Sequence, residues 1–223
     1  DKDSFGRFSQ FGTPPEKNGD YAWFLHVLAS LNSTGKAGIV MPHGVLFRGN
    51  AEEDIRRKIL ASRCIKGIIS LPGNLFYGTG IPACIIIIDK KHALQSKGIF
   101  MIDAKEGYQK DGNKNRLREM DIRRIVDTWD AHVDVPHYAR FVSFEEIHDP
   151  KNNFNLNLPR YIAPEDKEIQ QDITAHLHGN IPAHDVEQTL AHYWEACPSL
   201  QTALFHNLGN GYYELTHSDP KLI

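Results

Sequence analysis

The sequence predicts an α/β domain followed by a helical tail, and three observations carry that prediction. Ile65–Lys90 (IKGIISLPGNLFYGTGIPACIIIIDK) holds two β-branched apolar runs, Ile65–Leu71 and Ala83–Ile88, around a loop with two Pro, three Gly and the aromatic pair Phe76 and Tyr77. The run Ile85-Ile86-Ile87-Ile88 has no polar alternation, so both of its faces need cover, the habit of a strand inside an α/β sheet. It is too short for a buried helix, and Pro82 sits at its mouth. Strand, helix and strand then succeed one another from Ala37 to Leu71, a right-handed crossover that implies parallel pairing of the first two strands.

In chain order, residues 1–19 are Gly/Pro-punctuated and lack any period, and Phe5, Phe8 and Phe11 are expected to plug a groove on the domain. From Asp20, a plausible N-cap, Tyr21, Phe24, Leu25, Leu28 and Leu31 fall on one face of a helix, with Gly35 past its end. Ala37–Met41 is a short strand stopped by Pro42. Asn50 and Glu53 then open the next helix as a capping-box variant, with Ala51, Ile55 and Ile59 inward and Arg56, Arg57 and Lys58 outward. Gly98–Asp103 reads as a shorter, more exposed strand. Residues 104–124 carry seven cations against four acids, the most basic stretch, open to phosphate contact or to a solvated surface. Ile122, Ile125, Val126 and Trp129 give the helix there a buried face. Ser143 and Glu146 cap a short helix ending near His148, and Asn152–Ile162 alternates as an extended edge segment. From Pro164 two helical stretches follow, Ile169, Ile173 and Leu177 and then Val186, Leu190, Tyr193 and Trp194, broken at Gly179–Pro182.

At 223 residues and 41% hydrophobic, the chain can bury one sizeable core and an appendage. The net charge of −3 is unevenly spread: residues 1–163 sum to +4 and residues 164–223 to −7, so the two parts should face different partners. Cys64, Cys84 and Cys197 form no CxxC or disulfide framework, which points to a reducing cytosol, and no apolar run approaches a membrane span. The sequence has no initiating Met and no signal peptide at Asp1-Lys2-Asp3, so it is expected to begin partway through a longer, soluble, cytoplasmic protein.

Most functional motifs are absent. Six of the twelve histidines lie beyond residue 163 without the spacing or supporting ligands of a zinc site. Ser33-Thr34-Gly35-Lys36 precedes a strand instead of a helix and cannot cradle phosphate, and Gly78-Thr79-Gly80 lacks the third Gly of a dinucleotide fingerprint.

Several longer segments, in order, resemble one family. MPHGVLFRG at 41–49, ExxIR at Glu52–Arg56, LPGNLFYGTGIPACI at 71–85, FMIDA at 100–104 and NLNLPRYI at 155–162 resemble the modification (M) subunit of type I restriction-modification systems, DNA N6-adenine methyltransferases that use S-adenosylmethionine. The resemblance covers about residues 5–165. It implies that residues 1–163 are the C-terminal half of a Rossmann-like methyltransferase sheet and that 164–223 are an acidic helical tail for subunit or intramolecular packing. The strands at Ala37, Ile65 and Ala83 then become the fifth, sixth and antiparallel seventh of the parent fold. The family's Asn/Asp-Pro-Pro-Phe/Tyr catalytic loop and Gly-rich cofactor strand do not occur here, since Gly12-Thr13-Pro14-Pro15-Glu16 has neither the Asn/Asp nor the aromatic. The resemblance therefore implies catalytic residues and most of the S-adenosylmethionine site upstream of Asp1, and a chain inactive alone. It makes Phe76, Tyr77 and Thr79 candidates for the target-base pocket and Lys105, Lys110, Lys114, Arg116 and Arg118 candidates for DNA-phosphate contact. The implied partners are double-stranded DNA and the specificity and restriction subunits. The competing reading is a non-catalytic scaffold whose acidic tail docks a partner protein.

Overall fold

The computed structural model describes residues 3–162 and 172–216. The chain divides into two units, Asp1–Asp166 and Lys167–Ile223. In the first the elements are α1 (Asp20–Ser30), β1 (Lys36–Pro42), α2 (Ala51–Ala61), β2 (Ile65–Ser70), β3 (Ala83–Asp89), β4 (Gly98–Asp103), β5 (Gln109–Asp111), β6 (Lys114–Arg116), α3 (Glu119–Ala131), β7 (Ala139–Ser143) and α4 (Phe144–His148).

The main sheet has the order β1-β3-β2-β4-β7. β3 runs antiparallel to both of its neighbours, and β2 runs parallel to β4. The first two strands of the chain therefore point the same way but do not pair, which corrects the expectation of a parallel β1–β2 ladder. The hairpin return of β3 takes the place beside each of them. The antiparallel direction expected of the third strand is what the register shows, from Lys36↔Asp89 to Pro42↔Ala83.

Both faces of this sheet are covered at its centre, over β2, β3 and β4. On one, Ile68, Ile86, Ile88, Ile99, Met101 and Val142 meet Phe24, Leu25 and Leu28 of α1, Ile55, Ile59 and Leu60 of α2, and Phe144 and Ile147 of α4. On the other, Ile69, Phe100 and Ile102 pack with Ile125 and Trp129 of α3 and with Tyr138. The four-isoleucine run divides between them: Ile86 and Ile88 are buried, while Ile85 and Ile87 are half-buried on the α3 side. Each fully buried Ile stabilises by roughly 1.5–3 kcal/mol. At Gly67 the Trp129 ring occupies the space a side chain would need, so glycine there lets α3 sit down on the sheet.

Burial corrects several expectations. β4 is buried along its whole length, because α3 covers one face and α4 with the turn at Leu158–Arg160 covers the other. Residues 152–162 form no edge strand: a short 3-10 turn at Leu158–Arg160 follows a single ladder-like bond, Leu156 N–H to Leu46 O at 2.9 Å. Its alternation places Leu156, Leu158, Tyr161 and Ile162 in the core. Of the N-terminal phenylalanines, Phe11 is buried and Phe8 packs against the core, but Phe5 is exposed. Asp20 does not cap α1; Gly19 holds that position and the Asp20 carboxylate accepts from Arg48 at 2.7 Å. Asn50 is at the N-cap of α2 but makes no side-chain cap bond. Arg56 is buried, not outward: its Nε donates to Phe154 O at 2.8 Å and its Nη1 to Arg48 O at 2.8 Å. Of the apolar face expected on α3, Ile125 is buried and Trp129 half-buried, whereas Ile122 and Val126 face solvent. Ser143 caps α4 as expected, accepting from Glu146 N–H at 3.1 Å.

The second unit is not wholly helical. Its described elements are α5 (Ile173–His178), β8 (Ile181–Pro182), a π-turn at Asp185–Thr189, α6 (Ala191–Ala196), α7 (Pro198–Leu204), β9 (Phe205–Asn207) and β10 (Tyr212–Leu215). The strands form a small antiparallel sheet, β8-β10-β9, which corrects the expected purely helical tail. Asp172 caps α5 through Thr174 and Ala175 N–H, and Gly179 ends it in the left-handed region at φ 73°. Val186 is buried and accepts the Trp194 indole N–H on its carbonyl, while Leu177 and Tyr193 are exposed. Ile169 lies outside the described residues.

Candidate functional site

β1, β2 and β4 all run the same way, so their carboxyl ends lie along one edge of the sheet. Clefts outside the carboxyl ends of such strands are where α/β sheets bind ligands. Here the strand ends deliver His43 just past β1, Ser70 at the end of β2, and Asp103 with Lys105 at the end of β4. His43 Nε2 and Ser70 Oγ are hydrogen-bonded at 2.9 Å, and Lys105 Nζ pairs with the Asp103 carboxylate at 2.8 Å. Burial pulls the His43 pKa below its ordinary value; Asp103 opposes that shift and Lys105 adds to it. The imidazole is thus held neutral near pH 7, with its backbone N–H donated to Pro82 O at 3.1 Å.

Over this edge hangs the connection from β2 to β3. It is closed at its base by Leu71 N–H to Ala83 O at 2.9 Å, and crossed once by Asn74 N–H to Gly80 O at 3.3 Å. At its apex Phe76 is 42% and Tyr77 94% exposed, followed by Gly78 at φ 78°. Both aromatic faces are therefore open to solvent, and Phe76 is not core. Thr79 turns inward on the loop itself, its Oγ1 accepting from Ile81 N–H at 3.1 Å.

The hairpin of β5 and β6 packs against this loop. Asn115 Nδ2 donates to Gly73 O at 2.8 Å and Asn115 N–H to Asn74 O at 2.9 Å. Lys114 Nζ reaches Phe76 O at 2.7 Å and Thr79 O at 3.1 Å.

The five cations singled out from sequence fall into different surroundings. Lys105 belongs to the strand-end cluster and Lys114 to the loop. Arg118 is taken by Asp121, with Nε to Oδ2 at 2.8 Å and Nη2 to Oδ1 at 2.9 Å. The same carboxylate accepts the Arg118 backbone N–H at 2.9 Å, and the Arg118 bonds hold Asp121 below the usual carboxylate range against its partial burial. Lys110 and Arg116 stand exposed on the hairpin, Arg116 with a loose 3.9 Å approach to Asp111. Sequence reasoning missed His43, Ser70, Asp103 and Asn115. The usable signal was position: three of them end or immediately follow apolar runs.

Among the described residues neither β2 nor β4 leads directly into a helix, and Asp103, the carboxylate at these strand ends, is engaged by Lys105. Among the described residues no three His, Cys, Asp or Glu side chains are grouped to hold a metal ion, and no helix is long and apolar enough to cross a membrane.

Comparison with known proteins follows the same lines. The family model described as N-6 DNA Methylase matches residues 1–170. The type I restriction enzyme MjaVII methylase subunit of Methanocaldococcus jannaschii is 34% identical over 177 residues, covering 78% of this chain and 30% of that protein. The HindI methylase subunit of Haemophilus influenzae is 30% identical over 212 residues, 92% of this chain and 46% of that one. The crystal structure of a type I methyltransferase subunit from Streptococcus thermophilus superposes with a TM-score of 0.66 at 38% identity, over 72% of this chain and 34% of its own. This chain thus spans less than half the length of each of these relatives.

Proposed function

The chain belongs to the N-6 DNA methylase family, and from that premise we propose that it forms the C-terminal half of a DNA N6-adenine methyltransferase of a type I restriction-modification system, its β2–β3 loop serving as the far wall of the target-base pocket. The observation that carries this reading is the exposure of Phe76 and Tyr77 at the apex of a loop over the carboxyl ends of parallel strands. N6 of a paired, stacked adenine cannot be approached in line with a methyl donor, so the base must leave the duplex and find a new stacking surface. An open aromatic face offers about 1–3 kcal/mol per stacked base.

The two edges of the sheet support the reading of a half fold. At β7 the outward Phe141 N–H is taken by Asp134 at 2.7 Å, and Val135 bridges Ala139, so that edge is closed off. At β1 (Lys36–Pro42) no strand pairs on the outer side among the described residues; Lys36 and Pro42 bound the strand, and its middle, Ala37-Gly38-Ile39-Val40-Met41, carries no charge. An open stretch of edge with no charge in its middle is a template for another strand. In this proposal the remainder of the enzyme continues the sheet there and brings the Asn/Asp-Pro-Pro-Phe/Tyr loop and the site for S-adenosylmethionine, which supplies the methyl group. This chain alone is inactive and works in the cytoplasm with double-stranded DNA and the specificity and restriction subunits.

Within the chain, each residue has a bounded part. Phe76 and Tyr77 stack on the base, and Thr79 shapes the loop between them and Ile81. Lys110 and Arg116, exposed on the hairpin, meet DNA phosphates, whereas Lys105, Lys114 and Arg118 reach phosphate only by releasing their present partners. Replacing Phe76 and Tyr77 by Ala in the complete enzyme, with 2-aminopurine at the target position, is expected to brighten the flipped base by removing its stacking partners. An unchanged signal would sink the stacking role.

A further inference from the structure

We infer that the β5–β6 hairpin is the positioning device of the base-pocket loop, acting through Lys114 and Asn115, and that the strongest basic signal in this part of the sequence is partly spent holding backbone instead of DNA. The inference rests on the base-pocket reading above and adds residues to it.

The loop between Leu71 and Ala83 has little internal bonding. Beyond its base it holds itself with Asn74 N–H to Gly80 O and Ile81 N–H to Thr79 Oγ1. Four of its carbonyls, those of Gly73, Asn74, Phe76 and Thr79, are instead met by two consecutive residues of β6. Asn115 is 9% exposed and spends both its side-chain and its backbone N–H on the loop's rising limb. Lys114 places one ammonium between Phe76 O and Thr79 O, pinning the apex on either side of Tyr77 and Gly78. A charged donor to neutral carbonyls makes bonds stronger than neutral pairs do. The support is mutual, since a hairpin with three residues per strand has no independent stability.

The consequence is preorganisation. Without β6, the two glycines flanking Thr79 would let the apex sample many backbone states, and each binding event would have to select the one in which the aromatic faces are presented. With both carbonyls fixed, Phe76 and Tyr77 wait in one arrangement. Lys114 and Asn115 therefore act as positioning residues, touching the loop and not the base.

The test uses Lys114→Met, which keeps the stem and removes the ammonium, and Asn115→Asp, which keeps the shape and removes the side-chain donors. Hydrogen exchange on this chain is expected to quicken at least tenfold at the Asn74, Ile81 and Asn115 amides, with β2, β3 and β4 amides unchanged. Unchanged loop exchange in both variants overturns the clamp. In the complete enzyme the same variants should brighten 2-aminopurine in the direction of Phe76→Ala and raise KM for DNA more than they lower kcat. If loop exchange quickens while the 2-aminopurine signal stays at the wild-type level, and Phe76→Ala does change it, the positioning role is refuted and the base pocket stands. If Phe76→Ala and Tyr77→Ala are themselves silent, the base-pocket reading falls and takes the functional half of this inference with it.

Discussion

Replacing Arg56 by Met should cost the first unit about 3–4 kcal/mol, although the sequence sets Arg56 in a run with Arg57 and Lys58 as if all three were surface. The Arg56 side chain is 2% exposed. It donates to Phe154 O and Arg48 O, each at 2.8 Å, and weakly to Val45 O at 3.3 Å. Val45 O keeps a second donor, the Tyr21 hydroxyl at 2.6 Å, so the change orphans two carbonyls. Hydrogen bonds from a charged group contribute about 1.5–3 kcal/mol each. Against this stands the relief of no longer burying a guanidinium, which brings the cost toward the lower end of that sum. With a urea slope of about 2 kcal/mol/M, the midpoint should fall by about 1.5–2 M. Lys58→Met, on the same helix and exposed, should stay within about 0.5 kcal/mol. An Arg56→Met loss below about 1 kcal/mol, or one equal to that of Lys58→Met, would refute the stitching role argued for this guanidinium.

Phe76→Ala and Tyr77→Ala should leave the urea midpoint within about 0.5 kcal/mol of wild type, since both rings are exposed; a larger loss would mean the rings hold the fold together instead of waiting for a ligand. Burial pushes the Cys84 thiol up to about 12 and raises that of Cys64, while Cys197 is exposed. A thiol reagent at pH 8 should therefore react rapidly with one equivalent in the folded chain and with three after denaturation. His43 is held neutral by burial, so its folded pKa lies below the unfolded value of about 6.5. Between the two values the unfolded chain binds the extra proton, and stability declines as pH falls below about 6.5 until the folded pKa is passed. His43→Asn should flatten that part of the profile in denaturant melts run from pH 7.5 to 5.

Elements set by local pattern were legible. The 3.6-residue spacing of Tyr21, Phe24, Leu25 and Leu28 gave α1, and the unbroken isoleucines gave β3, because each signal lies within one segment. What failed depends on partners distant in sequence. Nothing near Lys36–Pro42 announces that its neighbour is Ala83–Asp89 and not Ile65–Ser70. The burial of β4 comes from Trp129 and Leu158, and that of Arg56 from Phe154. The alternation in residues 155–162 is real, but it feeds a core from irregular backbone, where two-residue periodicity has no unique meaning. The strands of the second unit are two to four residues long, below the reach of any pattern. In the site, aromatics in a Gly-rich loop stood out by composition. His43, Ser70 and Asp103 are ordinary residues whose importance comes from ending three strands that point one way.

The insertion of β3 between β1 and β2 also orders events in time. During synthesis β1 emerges first, yet Pro42 meets its partner only when Ala83 appears and Lys36 only with Asp89. At about 5–20 residues per second, the β3-facing edge of the nascent strand waits bare for several seconds. β2 waits for the same partner over a shorter interval, and the loop carrying Phe76 and Tyr77 must close before either strand meets β3. A substitution in that loop therefore also changes how fast the ribosome-bound chain turns back on itself.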